Sequence, residues 1–348
     1  ADGWVFDLAM TSRQVQSMPR QRVSQRLAES ARAAARLGAG IVGMGSFSVS
    51  HDVAQRVSDA AGVAVTCGHN YEVAATLDAA GIALGFMDKA LASSAVAVFG
   101  AHHPHAAAFA RIIACEAGSL TLFGEPRQVR ELSLAITAET GLVPRMVGDL
   151  VSAAAQWDLV VVCGECGRRL NPAHLAPGTV VCFIAGSDWP PAWASALPPG
   201  VLAITGGVVR LPGEFPRSAD DAADPPTCDP RSAEAVLLAL EERYDGWPGW
   251  QVTADRVDEV RRLGRKHGLV VSGVVSVGRA STFLDKDIPV PYNKSWLFGG
   301  YIWETPSTAG RRPASAFAIS RTRFREGREN RTSGGEIYSF RVSRKASG

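Results

Sequence analysis

Between residues 93 and 209 the sequence alternates short, unbroken apolar runs with segments of helical period, and this rhythm constrains the fold more than any other feature. The apolar runs fall at 95–99, 119–123, 143–147, 159–162, 179–184 and 201–205, with helical stretches near 105–117 and 127–140 between the first three. Apolar residues in unbroken succession, instead of alternating with polar ones, mark strands covered on both faces, which is the condition of a parallel sheet. Six such strands with helices between them predict an α/β fold with a doubly wound parallel sheet of Rossmann type. Residues 20–37, 41–44, 52–61, 63–66 and 72–80 repeat the alternation on a smaller scale as helix, strand, helix, strand and helix. They predict a smaller N-terminal α/β lobe, with Gly38-Ala-Gly40 ending its first helix.

Four segments follow: the lobe at 1–92, the doubly wound domain at 93–211, a linker with two helices at 212–273, and an extension at 274–348. The linker is rich in Pro, Asp and Ala up to Pro230; 232–244 and 253–267 then read as amphipathic helices returning to the lobe. The last segment changes character. From Gly310 onward nine Arg and one Lys stand against three Glu, a net of +7, which leaves the rest of the chain at −5 within the total of +2. Without a sustained period this extension is expected to be largely disordered and dispensable for folding, although 295–298 and 337–340 have strand character.

Composition excludes little else. Hydrophobic content of 46% and charged content of 20% are those of a globular protein. No run approaches the ~18 apolar residues of a membrane span. The small net charge gives no reason to expect a nucleic-acid partner. The six cysteines sit in or beside strand-like runs as small hydrophobes, which points to a reducing, cytoplasmic setting.

Several motifs occur in a characteristic order: Leu37-Gly-Ala-Gly-Ile-Val-Gly-Met-Gly-Ser46, Val65-Thr-Cys-Gly-His-Asn70 and Ala95-Val-Ala-Val-Phe-Gly-Ala101. Asn171-Pro-Ala-His-Leu175, Ile204-Thr-Gly-Gly-Val-Val209, Ala233-Glu-Ala-Val-Leu-Leu-Ala-Leu-Glu-Glu242, Gln251-Val-Thr-Ala-Asp255 and Lys266-His-Gly268 follow. From about Ala33 to Leu269 the chain resembles the long-chain fatty acyl-carrier-protein reductases of cyanobacterial type. The resemblance implies reduction of an acyl thioester to an aldehyde by NADH or NADPH, with acyl-carrier protein or acyl-CoA as the partner. It places the cofactor on Gly100, Ala101, His102 and His103, with Gly206 and Gly207 on the nicotinamide side. Gly68, His69 and Asn70 would edge the substrate pocket, unless Asn70 simply caps the helix that follows.

Three departures from that family stand in the chemistry-bearing motifs. The family's Gly-Ala-Thr-Gly-Asp-Ile-Gly loop reads Gly100-Ala-His-His-Pro-His-Ala106 here, so His103 stands where a glycine admits the pyrophosphate to backbone N–H groups. The loop either binds a dinucleotide in altered form or has lost it. Gly124 replaces the Arg that meets a 2′-phosphate, and Glu125 follows, which suits the free ribose of NADH or merely starts a helix ahead of Pro126. Arg231 occupies the family's nucleophile position; the nearest cysteine is Cys228, expected as the acyl carrier if a helix N-terminus and Arg231 lower its pKa. The alternative is an incidental loop cysteine. Cys163-Gly-Glu-Cys166 would need two further ligands, for instance from His102, His103 or His105, to hold zinc, and no metal is expected. Two rival functions remain: a dehydrogenase of a small alcohol or keto acid that needs no cysteine, and a non-catalytic binding protein.

Overall fold

The computed structural model describes residues 2–11, 17–45, 51–147, 157–164, 166, 170–184, 196–212, 227–245, 251–276, 313–320 and 337–341. The chain opens on β1 (Asp2–Thr11), followed by α1 (Arg20–Arg36), β2 (Ala39–Gly43), α2 (His51–Ala61) and β3 (Ala64–Thr66). Val23, Leu27, Ala31 and Ala34 recur at three- and four-residue spacing, so α1 buries one face. That face meets Val53, Ala54 and Val57 of α2 and Val42 and Val65 of the strands in a small separate core.

The next helix, α3 (His69–Phe86), is apolar on every side, as a helix enclosed between layers must be. It lies within the N-terminal segment but packs against the larger sheet and its helices. That sheet is built from β4 (Ala95–Phe99), β5 (Ser119–Phe123), β6 (Arg145–Met146), β7 (Leu159–Cys163), β8 (Val180–Ile184) and β9 (Leu202–Arg210). All six are parallel, in the order β6-β5-β4-β7-β8-β9. Counted within the domain this is 3-2-1-4-5-6, the doubly wound Rossmann arrangement. The crossover helices α4 (Pro104–Ile113) and α5 (Pro126–Thr140) begin directly after β4 and β5. β10 (Thr227–Cys228) and, after α6 (Pro230–Leu240) and α7 (Ala254–His267), β11 (Val270–Ser276) pair antiparallel with β9.

The C-terminal segment departs from expectation. β12 (Pro313–Ser320) and β13 (Ile337–Arg341) both pair antiparallel with β1, and β12 also pairs with β2. The smaller sheet therefore runs β13-β1-β12-β2-β3, with strands from both ends of the sequence at its centre. The segment after Gly310 thus contributes two strands, of which β12 supplies ladder bonds to both β1 and β2. The strand expected at 337–340 is present as β13; 295–298 lies outside the described residues. α6 packs on the smaller lobe, against β2, and on α3; α7 packs on α3 and α4.

Candidate functional site

In an open doubly wound sheet the crevice forms at the carboxyl ends of the strands where winding reverses, here between β4 and β7. Gly100 follows β4 with φ +80°, and a Cβ there would stand 2.6 Å from the Cys163 carbonyl oxygen. Only glycine permits the two strand ends to come so close. The loop then turns its amides inward. The Gly100 and Ala101 N–H groups both donate to the Phe123 carbonyl at 2.9 Å, and His103 N–H donates to the Gly100 carbonyl at 2.8 Å. Pro104 has no amide proton, and the Ala106 amide is engaged by the Cys163 thiol. Among the described residues only part of a phosphate cradle is left, with the His102 amide still available.

His102 also explains the residue at 124. A Cβ on Gly124 would lie 2.8 Å from His102 Nδ1, so the imidazole occupies the space above the end of β5. The Glu125 amide donates to that Nδ1 at 3.3 Å. The exposed Glu125 carboxylate caps α5, accepting from Gln128 N–H at 3.0 Å and Arg127 N–H at 3.3 Å, which lowers its pKa. The helix-starting reading of Glu125 is therefore realised, with negative charge at the strand end where a ribose would lie.

Opposite this loop stands the start of α3. Gly68 has φ +75°, and a Cβ on it would overlap the Arg231 carbonyl oxygen at 2.1 Å. The first turns of α3 and α6 thus meet backbone to backbone. Asn70 is not a cap: α3 starts at His69 with Gly68 before it. The missing cap comes from another helix. Glu234 of α6, fully buried, accepts from Tyr71 N–H at 2.7 Å and Thr66 Oγ1 at 2.5 Å, and from the Asn70 amide. Burial still leaves its pKa raised. Asn70 Oδ1 is buried and has no hydrogen-bond partner among the described residues.

His69 and Glu72, one turn apart on α3, approach at 3.2 Å between Nδ1 and Oε2. The His69 ring lies edge-on to His105 with centroids 4.7 Å apart, and His105 Nδ1 lies 3.3 Å from His103 Nδ1. Burial would raise the Glu72 carboxyl, but Arg231 and the His69 hydrogen bond outweigh it and hold it at about 2. Burial, with His69 nearby, pushes His105 down to about 3. At neutral pH the site therefore holds a neutral imidazole, a carboxylate and the half-buried Arg231 guanidinium, itself 3.3 Å from Asp229. His69 with Glu72 can hold or move a proton, and Arg231 can face developing negative charge.

Gly100, Ala101, His102 and His103 thus share one loop, and Gly68 and His69 face it through His105. Glu72, Arg231 and Glu234 complete the group and were not singled out as site residues from sequence. The His-x-x-Glu spacing of 69 and 72 was the available signal for one of them. Cys228 lies in β10 opposite Val209, half-buried, just before the Asp229 cap of α6. Burial and then Asp229 raise its thiol well above the ordinary value, so the expected lowering by the helix end does not occur. Cys163 is likewise pushed up to about 12 by burial and by Glu72. Gly206, with φ +99°, lies beside Thr76 of α3. Gly207 has a packing role, since a Cβ there would meet Val271 at 2.6 Å and Ala79 at 3.3 Å. Among the described residues no helix is long and apolar enough to cross a membrane.

No family model matches the chain. No curated protein matches it either. Solved structures with partial likeness include the L-tryptophan dehydrogenase of Nostoc punctiforme, at 13% identity over 52% of this chain and 53% of that one, TM-score 0.32. The thermostable alcohol dehydrogenase of Pyrobaculum aerophilum aligns at 19% identity over 49% and 45%, TM-score 0.27. The Δ1-pyrroline-2-carboxylate reductase of Thermococcus litoralis, in complex with NADH and L-proline, aligns at 14% over 32% and 36%, TM-score 0.26. The chain spans between 36% and 53% of the length of these three structures. The fold assignment rests on the strand order, not on overlaps of this extent.

Proposed function

We propose that this chain is a nicotinamide-dependent oxidoreductase acting on a carbonyl group in the crevice between β4 and β7. The observation that carries the reading is the 3-2-1-4-5-6 sheet whose switch point is faced by His69, Glu72, His105 and Arg231. The tight turn at Gly100, the His102 amide and the start of α4 fit a dinucleotide's phosphates, with fewer donors than a full glycine loop provides. When bound, a reduced nicotinamide supplies a hydride. Glu125, with Gly124 in place of a cation, favours NADH over NADPH.

The resemblance makes the substrate an acyl thioester on acyl-carrier protein or coenzyme A. In that form Cys228 Sγ bonds to the acyl carbon and the carrier leaves as its thiol. After hydride reaches the same carbon, the bond to Cys228 breaks and the aldehyde departs. Arg231 stabilises the oxyanion in both steps. A second reading is favoured by the raised thiol pKa of Cys228: reduction of a keto acid or similar carbonyl to an alcohol, with His69 giving the proton and no cysteine involved.

Calorimetric titration with each cofactor tests the shared part. Weak binding is expected, NADH ahead of NADPH, and no heat from either at about 1 mM would remove both readings. Acyl-CoA without reductant, followed by peptide mass spectrometry, separates the two. A label on Cys228 supports the thioester route; no label, with full carbonyl reduction by Cys228→Ala, supports the second.

A further inference from the structure

We propose that His69, Glu72 and His105 form a binding site for a divalent d-block cation of the zinc type. One ligand atom from each of the three lies within 4.8 Å of the other two. Zinc bonded at ~2.0–2.1 Å to nitrogen and oxygen sets its ligands about 3.3 Å apart in a tetrahedron. Within the trio His69 Nδ1 and Glu72 Oε2 already stand 3.2 Å apart, close to that length. Edges of at most 4.8 Å between the three ligand atoms need to close by about 1.5 Å at most, within reach of side-chain rotation.

The frame is rigid where it must be. His69 and Glu72 stand one turn apart on α3, whose start is clamped between Gly68 and Arg231 and capped by Glu234. His105 is the second residue of α4, and its side chain is fully buried. Two imidazoles and one carboxylate are the donor set of a three-ligand zinc site, which leaves a fourth position for water or a substrate oxygen. Hard cations such as magnesium take oxygen donors and do not fit it.

The charges nearby temper the affinity without forbidding it. Arg231 lies close to Glu72, but Asp229 is 3.3 Å from the guanidinium, so the three ionised groups carry one net negative charge. The helix ends of α3 and α4 add partial positive charge, so affinity near the micromolar range is expected, well below that of a closed structural site. This inference goes beyond the oxidoreductase reading and does not depend on it, because the cation binds whether or not a dinucleotide does.

The test uses the whole chain, freed of metal with a chelator and titrated with Co²⁺ and Zn²⁺. One equivalent per chain is expected, with cobalt d–d bands of a low-symmetry site and no thiolate-to-cobalt charge-transfer band. X-ray absorption of the zinc-loaded wild type should give two imidazoles and oxygen, without sulfur. Glu72→Gln and His105→Gln, checked for folding by circular dichroism, should each lower affinity at least about tenfold. Absence of stoichiometric binding, sulfur in the zinc shell from Cys163 or Cys166, or unchanged affinity in folded variants would each overturn the proposal.

Discussion

At Gly68 one absent methyl group allows two helices to meet. Gly68→Ala places a Cβ 2.1 Å from the Arg231 carbonyl oxygen and 2.3 Å from its Cα, at a φ of +75° that L residues resist. The left-handed conformation and the overpacking together should cost about 3 kcal/mol. Equilibrium urea unfolding reads this directly, and a loss under about 1 kcal/mol would mean that α3 and α6 separate without penalty. The residues beyond Gly68 carry a pH signature. His105 titrates at about 3 in the fold, below its unfolded value near 6.5, so stability falls as pH drops from about 6.5 to about 3. Glu72, at about 2, contributes stability that is complete above its unfolded pKa near 4.5 and is lost as pH falls from there to about 2. In metal-stripped protein, unfolding midpoints should therefore decline steadily on acidification. Glu72→Gln should flatten the lower part of the curve and His105→Gln the upper part. A curve unchanged by either substitution would contradict these assignments.

At the scale of elements, the strands and helices between β4 and β9 were legible because their signals are local. Apolar runs such as 159–162 and the Gly141 stop each act within a few residues. The smaller sheet was legible only in part. β2 and β3 announce themselves, but β1 has no local partner: Asp2 pairs with Ser320 and Arg341, and Phe6 with Ala316 and Ile337. Pairing across such separations leaves no trace in a window of sequence. Its consequence is measurable. In a chain ending at Gly310, β1 loses both neighbours and β2 loses one, so the amides of Ile41 and Val42 should lose hydrogen-exchange protection. Those of Val98 and Val161, inside the larger sheet, should keep theirs. Equal protection at Ile41 in both chains would show that β12 is not needed.

At the scale of the whole molecule, the candidate site was legible one residue group at a time and not as a group. The motif around Gly68, His69 and Asn70 and the loop from Gly100 to His103 are contiguous in sequence and can be singled out there. Their convergence is the work of α3, which leaves the smaller lobe to pack on the larger sheet and so brings His69 against His105. Arg231 and Glu234 reach the same place from a helix more than 150 residues further along the chain. Cys228 shows the converse: its position before α6 suggested a lowered thiol pKa, whereas burial raises it.

The arrangement of the smaller sheet also orders events during synthesis. β4 through β9 lie between Ala95 and Arg210 and can associate as soon as they leave the ribosome. β1 is made before them, yet its partners β12 and β13 are made after them. While the larger sheet is being made, β1 has no ladder to join, and the edge of β2 facing β12 stays open. A strand made before the larger sheet is secured only after it, so in a cell the nascent chain would carry an exposed, chaperone-attracting strand until β12 and β13 appear.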